Sequence, residues 1–193
     1  TPWVKWGWDF VPKLIHGLFG FLTGLLLYAY LARRLSPPYG WLGFFLFVST
    51  PAIIRLSNWG YVDLGLVFYA TASLLTLLNW IESRENGKAE LRWLVLAALS
   101  AGFAAATKPN GLLVVLLLFF ALAWALGRQK ATIAEAAGQL GLFVLLAAVV
   151  LAPWWARNFV WKGNPFFPFF STFFDKITAV AGGGGEAPAL GIF

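Results

Sequence analysis

Long apolar stretches separated by short polar connections run along most of the chain. Six of them approach or reach the roughly 20 residues that a helix needs to cross about 30 Å of hydrocarbon. They lie at Leu14–Ala32, Trp41–Ile54, Tyr61–Ile81, Trp93–Thr107, Gly111–Leu126 and Leu140–Ala156. The runs are continuously apolar, whereas the strands of a membrane β-barrel alternate apolar and polar residues. The pattern therefore predicts an all-α, polytopic transmembrane bundle of about six membrane-embedded helices.

An aromatic-rich segment follows the last apolar run. Tryptophan and phenylalanine are dense after Pro153, and Pro165 and Pro168 within that stretch prevent a single regular helix. Aromatic side chains collect at the interface between membrane and water. We therefore predict a transmembrane core over residues 1–157. Residues 158–193 are expected to form an outer, aromatic and glycine-rich segment.

Composition excludes several classes of protein. Apolar residues make up 60 % of the chain and charged residues 11 %, whereas soluble domains contain about 25 % charged residues. The net charge is +6, but the basic residues are scattered among apolar runs and form no face for nucleic acid. The chain has no cysteine, which excludes disulfides and cysteine nucleophiles. We expect a membrane protein with no nucleic-acid partner.

The connections between the six runs alternate between the two membrane faces if every run crosses. One face receives hydrophilic loops of mixed charge, and we assign this face to the cytoplasm. The other face receives isolated polar residues beside apolar helix ends: His16, Arg55, Asn58, Asp63, Lys108, Asn110, Arg157 and Asn158. Cations and amides at headgroup depth suit the phosphate group of a lipid. The same residue types also serve as interfacial anchors, which is the alternative interpretation.

Lys108 is the strongest candidate in this group. With Pro109 and Asn110 it forms the short connection between the fourth and fifth runs, and such a polar turn cannot face lipid. The sequence contains neither a Walker loop nor a dinucleotide-binding fingerprint. Its single histidine and dispersed carboxylates lack the spacing of a metal site. No cofactor is therefore evident from the sequence.

Four segments together resemble the GT-C glycosyltransferases. The segments are KLIHGLFGFLTGLLLYAYLARRL (Lys13–Leu35), NWGYVDLGLVFY (Asn58–Tyr69), AATKPNGLLVVL (Ala105–Leu116) and PWWARNFVWKGNPFFPFF (Pro153–Phe170). Their order and spacing are similar to those of bacterial members of the dolichyl-phosphate-mannose protein mannosyltransferase type. The resemblance implies a multi-pass inner-membrane enzyme. Such an enzyme takes a sugar from a polyprenyl-phosphate carrier and transfers it to an acceptor on the periplasmic face.

The resemblance also implies roles for individual residues. Lys108 matches the basic turn of the family and would contact the carrier phosphate. Arg157 and Asn158 match the Arg-Asn pair that opens the large outer loop. Asp63 matches the acidic residue at the head of a span, and it is a candidate for the carboxylate that deprotonates the acceptor. The other residues predicted to bind the donor are included only because they lie on the same membrane face: His16, Arg55, Asn58 and Asn110.

The resemblance places the catalytic acidic residue of the family before the Lys13 segment. There this chain has a single carboxylate, Asp9, and Asp9 does not match the catalytic position. We therefore expect a central fragment of a GT-C enzyme that is inactive alone. Some members of the family use a divalent metal, so the full-length enzyme is compatible with one.

The residues leave two other functions open. One is a non-catalytic subunit of a larger membrane complex, whose polar helix ends bind lipid and whose aromatic residues pack against neighbouring subunits. The other is a transporter or flippase for a lipid-linked sugar, which needs the same phosphate-binding residues. Against transport, the chain has no internal repeat, and its charges lie at helix ends instead of the membrane midplane.

Overall fold

The computed structural model describes residues 10–59, 61–167 and 169–181. These residues form eight helices and no strand, which confirms the all-α prediction. The helices are α1 (Phe10–Arg34), α2 (Pro37–Val48), α3 (Pro51–Ser57), α4 (Asp63–Glu85), α5 (Leu91–Thr107), α6 (Gly111–Arg128), α7 (Ile133–Lys162) and α8 (Ser171–Ala181).

The helices agree with a bundle of membrane spans. Among the described residues, α1, α4, α6 and α7 are long and apolar enough to cross a membrane, and the bent pair of α2 and α3 makes a fifth candidate. The remaining apolar run, the fourth along the chain, is α5, which has 17 residues and therefore a length of about 26 Å. The prediction of about six embedded helices is broadly confirmed, with one of the six shorter than a full span.

The second apolar run is bent. α2 ends at Val48, α3 begins at Pro51, and the two helix axes differ by 61°. Proline has no backbone N–H and favours the first position of a helix. The hydroxyl of Thr50 donates to the carbonyl of Leu46 at 2.8 Å, which satisfies an acceptor at the end of α2. The run predicted at Trp41–Ile54 is therefore two helical segments.

Packing divides the chain into two units, and the first ends at Val150. Its core lies between α4, α5, α6 and the first half of α7. Ala97 and Ala101 of α5 are completely buried there. The hydroxyl of Ser73 in α4 donates to the carbonyl of Ala97 at 2.6 Å, so a side chain of α4 touches the backbone of α5. The small residues of α5 thus permit close helix packing.

Charged side chains of the first unit lie at the two ends of its helices. Where α1 and α4 finish, Arg34 pairs with Glu82 at 2.6 Å. Arg84 pairs with Glu135, at the start of α7, at 2.5 Å. A further ion pair lies at the opposite end of α4, beside the turn between α5 and α6. This separation agrees with the alternation of connections that the sequence predicted for these helices.

The second unit contains the end of α7, a turn and α8. α7 continues past Pro153 to Lys162. The side chain of Asn164 stabilises the turn, since it donates to the carbonyl of Phe169 at 2.8 Å and accepts from the N–H of Phe166 at 2.9 Å. The aromatic stretch is therefore not one regular helix, as its prolines predicted. Parts of the segment 158–193 are nevertheless helical.

Candidate functional site

The turn between α5 and α6 depends on close backbone contact. α5 ends at Thr107, and Lys108 is extended (φ −155°, ψ 143°), which is the conformation that a following proline favours. The carbonyl of Lys108 accepts a hydrogen bond from the N–H of Gly111 at 2.8 Å. A Cβ atom at Gly111 would overlap the carbonyl of Ala104 in α5. Glycine is therefore required where α6 begins, and the tight turn predicted from the sequence is confirmed.

Lys108 forms an ion pair with Asp63 at the same end of the bundle. The distance from Nζ to Oδ1 is 2.7 Å, and the two side chains are 41 % and 32 % exposed. Asp63 is the first residue of α4 and Lys108 follows the last residue of α5, so each charge is stabilised by the adjacent helix dipole. A pair this exposed stabilises the fold by only about 0–1 kcal/mol. Its main effect is to hold the ammonium group in one place.

The ammonium group of Lys108 retains hydrogen-bonding capacity beyond this pair. An ammonium group has three N–H donors. Within the described part of the chain, Asp63 is its one hydrogen-bond partner. Lys108 can therefore donate to an anion while it keeps its contact with the carboxylate. The arrangement is a positioned cation at the end of a membrane bundle.

His16 is buried and uses both ring nitrogens on backbone groups. Nε2 accepts a hydrogen bond from the N–H of Leu64 at 2.8 Å, and Nδ1 donates to the carbonyl of Leu56 at 2.9 Å. These roles follow from the partners, because an amide N–H only donates and a carbonyl only accepts. No ring nitrogen is left for a phosphate, so the geometry does not support the predicted contact of His16 with the donor.

The hydrogen bond to Leu64 gives His16 a positioning role. Leu64 lies in the first turn of α4, where backbone N–H groups lack partners within the helix. The residue before the helix, Val62, provides no side-chain cap. His16 supplies that cap from α1, and its bond to Leu56 fixes the end of α3 as well. It thereby holds the start of α4, where Asp63 lies.

Substituting alanine for His16 should destabilise the protein by about 1–3 kcal/mol, because it leaves the buried N–H of Leu64 without its partner. His16→Gln should restore part of this stability, since its amide oxygen is able to accept from Leu64. The free energy of unfolding is measured in detergent by denaturant titration. Lys13→Ala, an exposed change one turn earlier in α1, is the control. Equal stability of His16→Ala and the wild type would contradict the proposed cap.

Three further predicted residues lie at this end of the first unit and are exposed. The guanidinium of Arg55 lies 5.2 Å from the centre of the Trp59 ring. The amide of Asn58 donates to the carbonyl of Ile54 at 2.8 Å and closes its own helix, α3. Asn110 directly precedes α6 and makes no capping hydrogen bond. Arg55 and Asn110 therefore make no side-chain hydrogen bond within the described part of the chain, while Asn58 has a local structural contact.

Arg157 and Asn158 belong to the second unit. The guanidinium of Arg157 lies 4.9 Å and 4.2 Å from the ring centres of Trp154 and Trp161. The amide of the buried Asn158 donates to the carbonyl of Phe167 at 3.2 Å, so it stabilises the turn after α7. The joint action of these residues with Lys108 stays a prediction.

An apolar cleft of about 390 Å³ opens beside the ion pair. Val62 and Thr107 line it, and they directly precede Asp63 and Lys108 in the chain. Three aromatic rings contribute to its wall: Phe19, Tyr61 and Tyr69. The sequence gives no signal that singles out these rings, because aromatic residues in an apolar run are as typical of packing as of binding. Their closeness to the polar residues is a property of the tertiary fold.

The described residues contain no group of three or more histidine, cysteine, aspartate or glutamate side chains placed to hold a metal ion. Asp63, the carboxylate at the candidate site, instead contacts a lysine. The site in the described part of the chain is thus formed by a cation, a carboxylate and an apolar cleft.

The fold and the site define a class: a multi-pass membrane protein with a fixed cation at one end of its helices. Comparison with known families then identifies the family. The model of the dolichyl-phosphate-mannose-protein mannosyltransferases matches residues 10–173. The chain belongs to this family of membrane glycosyltransferases, which confirms the resemblance found in the sequence. No curated protein and no solved structure matches the chain significantly.

Proposed function

We propose that the protein transfers a sugar from a polyprenyl-phosphate carrier to an acceptor, and that Lys108 binds the carrier phosphate. The observation that carries this proposal is the ion pair between Lys108 and Asp63 beside an apolar cleft. A lipid-linked phosphate needs a cation for its head and apolar surface for its chain. Membership of the mannosyltransferase family supports mannose as the sugar.

The chemistry assigns a task to each group. The acceptor hydroxyl attacks the anomeric carbon of the sugar, the bond from that carbon to the phosphate oxygen breaks, and the carrier phosphate leaves with the electron pair. Lys108 stabilises the negative charge that develops on the leaving phosphate. A carboxylate accepts the proton of the acceptor. Asp63 stays a candidate for that base, although its contact with Lys108 favours a positioning role.

Arg157 and Asn158 have a place in the same proposal. Arg157 carries a second cation, held by two indole rings, and a guanidinium group is well suited to phosphate. We assign Arg157 to the carrier phosphate or an adjacent headgroup, and Asn158 to the conformation of the turn. The side of the membrane is also part of the proposal: the site faces the periplasm of a bacterial inner membrane.

The donor is tested with the full-length protein in phospholipid vesicles. We expect product from radiolabelled mannosyl-phosphoryl-polyprenol and none from GDP-mannose, because the site binds a lipid phosphate and lacks a nucleotide fingerprint. Unlabelled polyprenyl phosphate should compete with the lipid-linked donor. Transfer from GDP-mannose without a lipid carrier would contradict the proposal. Movement of the labelled lipid across the vesicle without any product would indicate a transporter.

A further inference from the structure

A polar hollow of about 250 Å³ lies at the other end of α4, away from the site described above. It is formed by the end of α1, the last turns of α4 and the connection that leads into α5. Glu82, on its wall, is separated from Asp63 by about 28 Å along the axis of α4. The hollow is therefore a separate site, independent of sugar transfer.

The two carboxylates of the hollow are already engaged. Glu82 pairs with Arg34 at 2.6 Å. Glu90 pairs with Arg92 at 2.5 Å and also accepts a hydrogen bond from the indole N–H of Trp93 at 3.0 Å. Each carboxylate thus has its own cation. Neither is free to neutralise another charge in the hollow.

Four other side chains that line the hollow carry N–H donors, and these donors make few or no hydrogen bonds to the rest of the protein. In the described part of the chain, no side-chain hydrogen bond or ion pair involves Asn79, Asn86 or Lys88. Arg33 makes one long bond, 3.4 Å, from Nε to the carbonyl of Ala29 in its own helix. Its guanidinium also lies 5.8 Å from the ring centre of Trp93. The hollow therefore holds two uncompensated positive charges and two free amide groups.

The hollow lies where a membrane surface meets the protein, because α1 and α4 both have the length and hydropathy of membrane spans and both end there. An unpaired cation at this level attracts the anionic headgroups of the adjacent leaflet. Guanidinium, ammonium and amide N–H groups together match the several acceptor oxygens of a phosphate. We propose that this hollow binds the phosphate group of an anionic phospholipid.

The proposal is tested by binding of phosphatidylglycerol to the purified full-length protein, measured in detergent by native mass spectrometry. The variant Arg33→Gln/Lys88→Gln removes the two uncompensated charges, and both side chains are exposed, so the fold should persist. We expect its dissociation constant for phosphatidylglycerol to rise at least about tenfold, because both charge-assisted contacts are lost. Phosphatidylcholine of the same chain length should bind weakly to the wild type and the variant alike.

The matched control is Arg128→Gln/Lys130→Gln, which removes one charge from the last residue of α6 and one from the turn that follows, at the same end of the bundle but outside the hollow. Its affinity for phosphatidylglycerol should change by less than about threefold, the effect of a general loss of surface charge. Equal weakening in both double variants would overturn the proposal, since attraction would then be diffuse. Inorganic phosphate that displaces the lipid at equal concentration would also overturn it, because the ligand would be free phosphate.

Discussion

Sugar transfer should fall at least about 100-fold when Lys108 is replaced by alanine, the loss typical of removing one group that stabilises charge in a transition state. The side chain is 41 % exposed, so its removal should leave folding and membrane insertion intact. Turnover is measured with the lipid-linked donor in vesicles, and folding by thermal denaturation of the same preparation. Normal turnover by Lys108→Ala would contradict the assignment of the carrier phosphate to this residue.

The control for this result is Lys130→Ala. Lys130 is also an exposed lysine in a short turn between two helices, but it lies at the opposite end of the bundle. Its removal should leave turnover unchanged within a factor of about two, since a charge this distant is screened. A loss comparable with that of Lys108→Ala would mean that net charge matters and position does not.

Variants of Asp63 separate its two candidate roles. If Asp63 only positions Lys108, the double variant Asp63→Ala/Lys108→Ala should be no slower than Lys108→Ala, because the two residues act through one contact. Asp63→Asn should then retain much of the activity. If Asp63 is the base, Asp63→Asn should lower kcat severely and leave KM unchanged. The double-variant comparison thus distinguishes a positioning residue from a catalytic one.

Gly111→Ala should destabilise the protein by at least about 3 kcal/mol, at the upper end of the range for overpacked sites. The added Cβ would overlap the carbonyl of Ala104 and approach the backbone nitrogen of Ala105 to 2.6 Å. These are backbone atoms of a buried helix, so they cannot rotate away as a side chain can. The measurement is the free energy of unfolding in detergent, together with the yield of folded protein from membranes.

Gly127→Ala is the matched control, since Gly127 lies in the same helix, α6, and a Cβ there meets nothing within 4 Å. Alanine favours a helix interior over glycine by up to about 1 kcal/mol, so this variant should be as stable as the wild type or slightly more so. If both variants behaved alike, the close approach of α6 to α5 would not be the reason for glycine at the turn.

The membrane fold could be predicted from the sequence because an apolar run has few possible backbone structures in lipid. Each run had to be a helix, since its backbone groups find no partners in hydrocarbon. The alternation of connections then placed Asp63 and Lys108 at one end, although they are 45 residues apart. What alternation does not give is distance. That the two side chains touch depends on how α4 and α5 pack.

The role of His16 shows a different limit of prediction from the sequence. Its side chain was assigned to a ligand because it lies on the same predicted membrane face as Lys108 and Arg157. Its partners are backbone groups of Leu56 and Leu64, and every residue has such groups, so the sequence carries no signal for the contact. The bend after Val48 was missed for a related reason: Trp41–Ile54 is apolar throughout, and hydropathy does not register a change of direction.

The 17-residue length of α5 would make the protein sensitive to the thickness of a bilayer that this helix crosses. A span of about 26 Å is about 4 Å shorter than an average hydrocarbon layer, and such hydrophobic mismatch costs a fraction of a kcal/mol for each ångström. The membrane lowers this cost by thinning around the protein. Lys108 lies directly at one end of α5, so thinning brings its ammonium group closer to the opposite leaflet. Lipid chain length thereby becomes a variable that acts on the site through geometry alone.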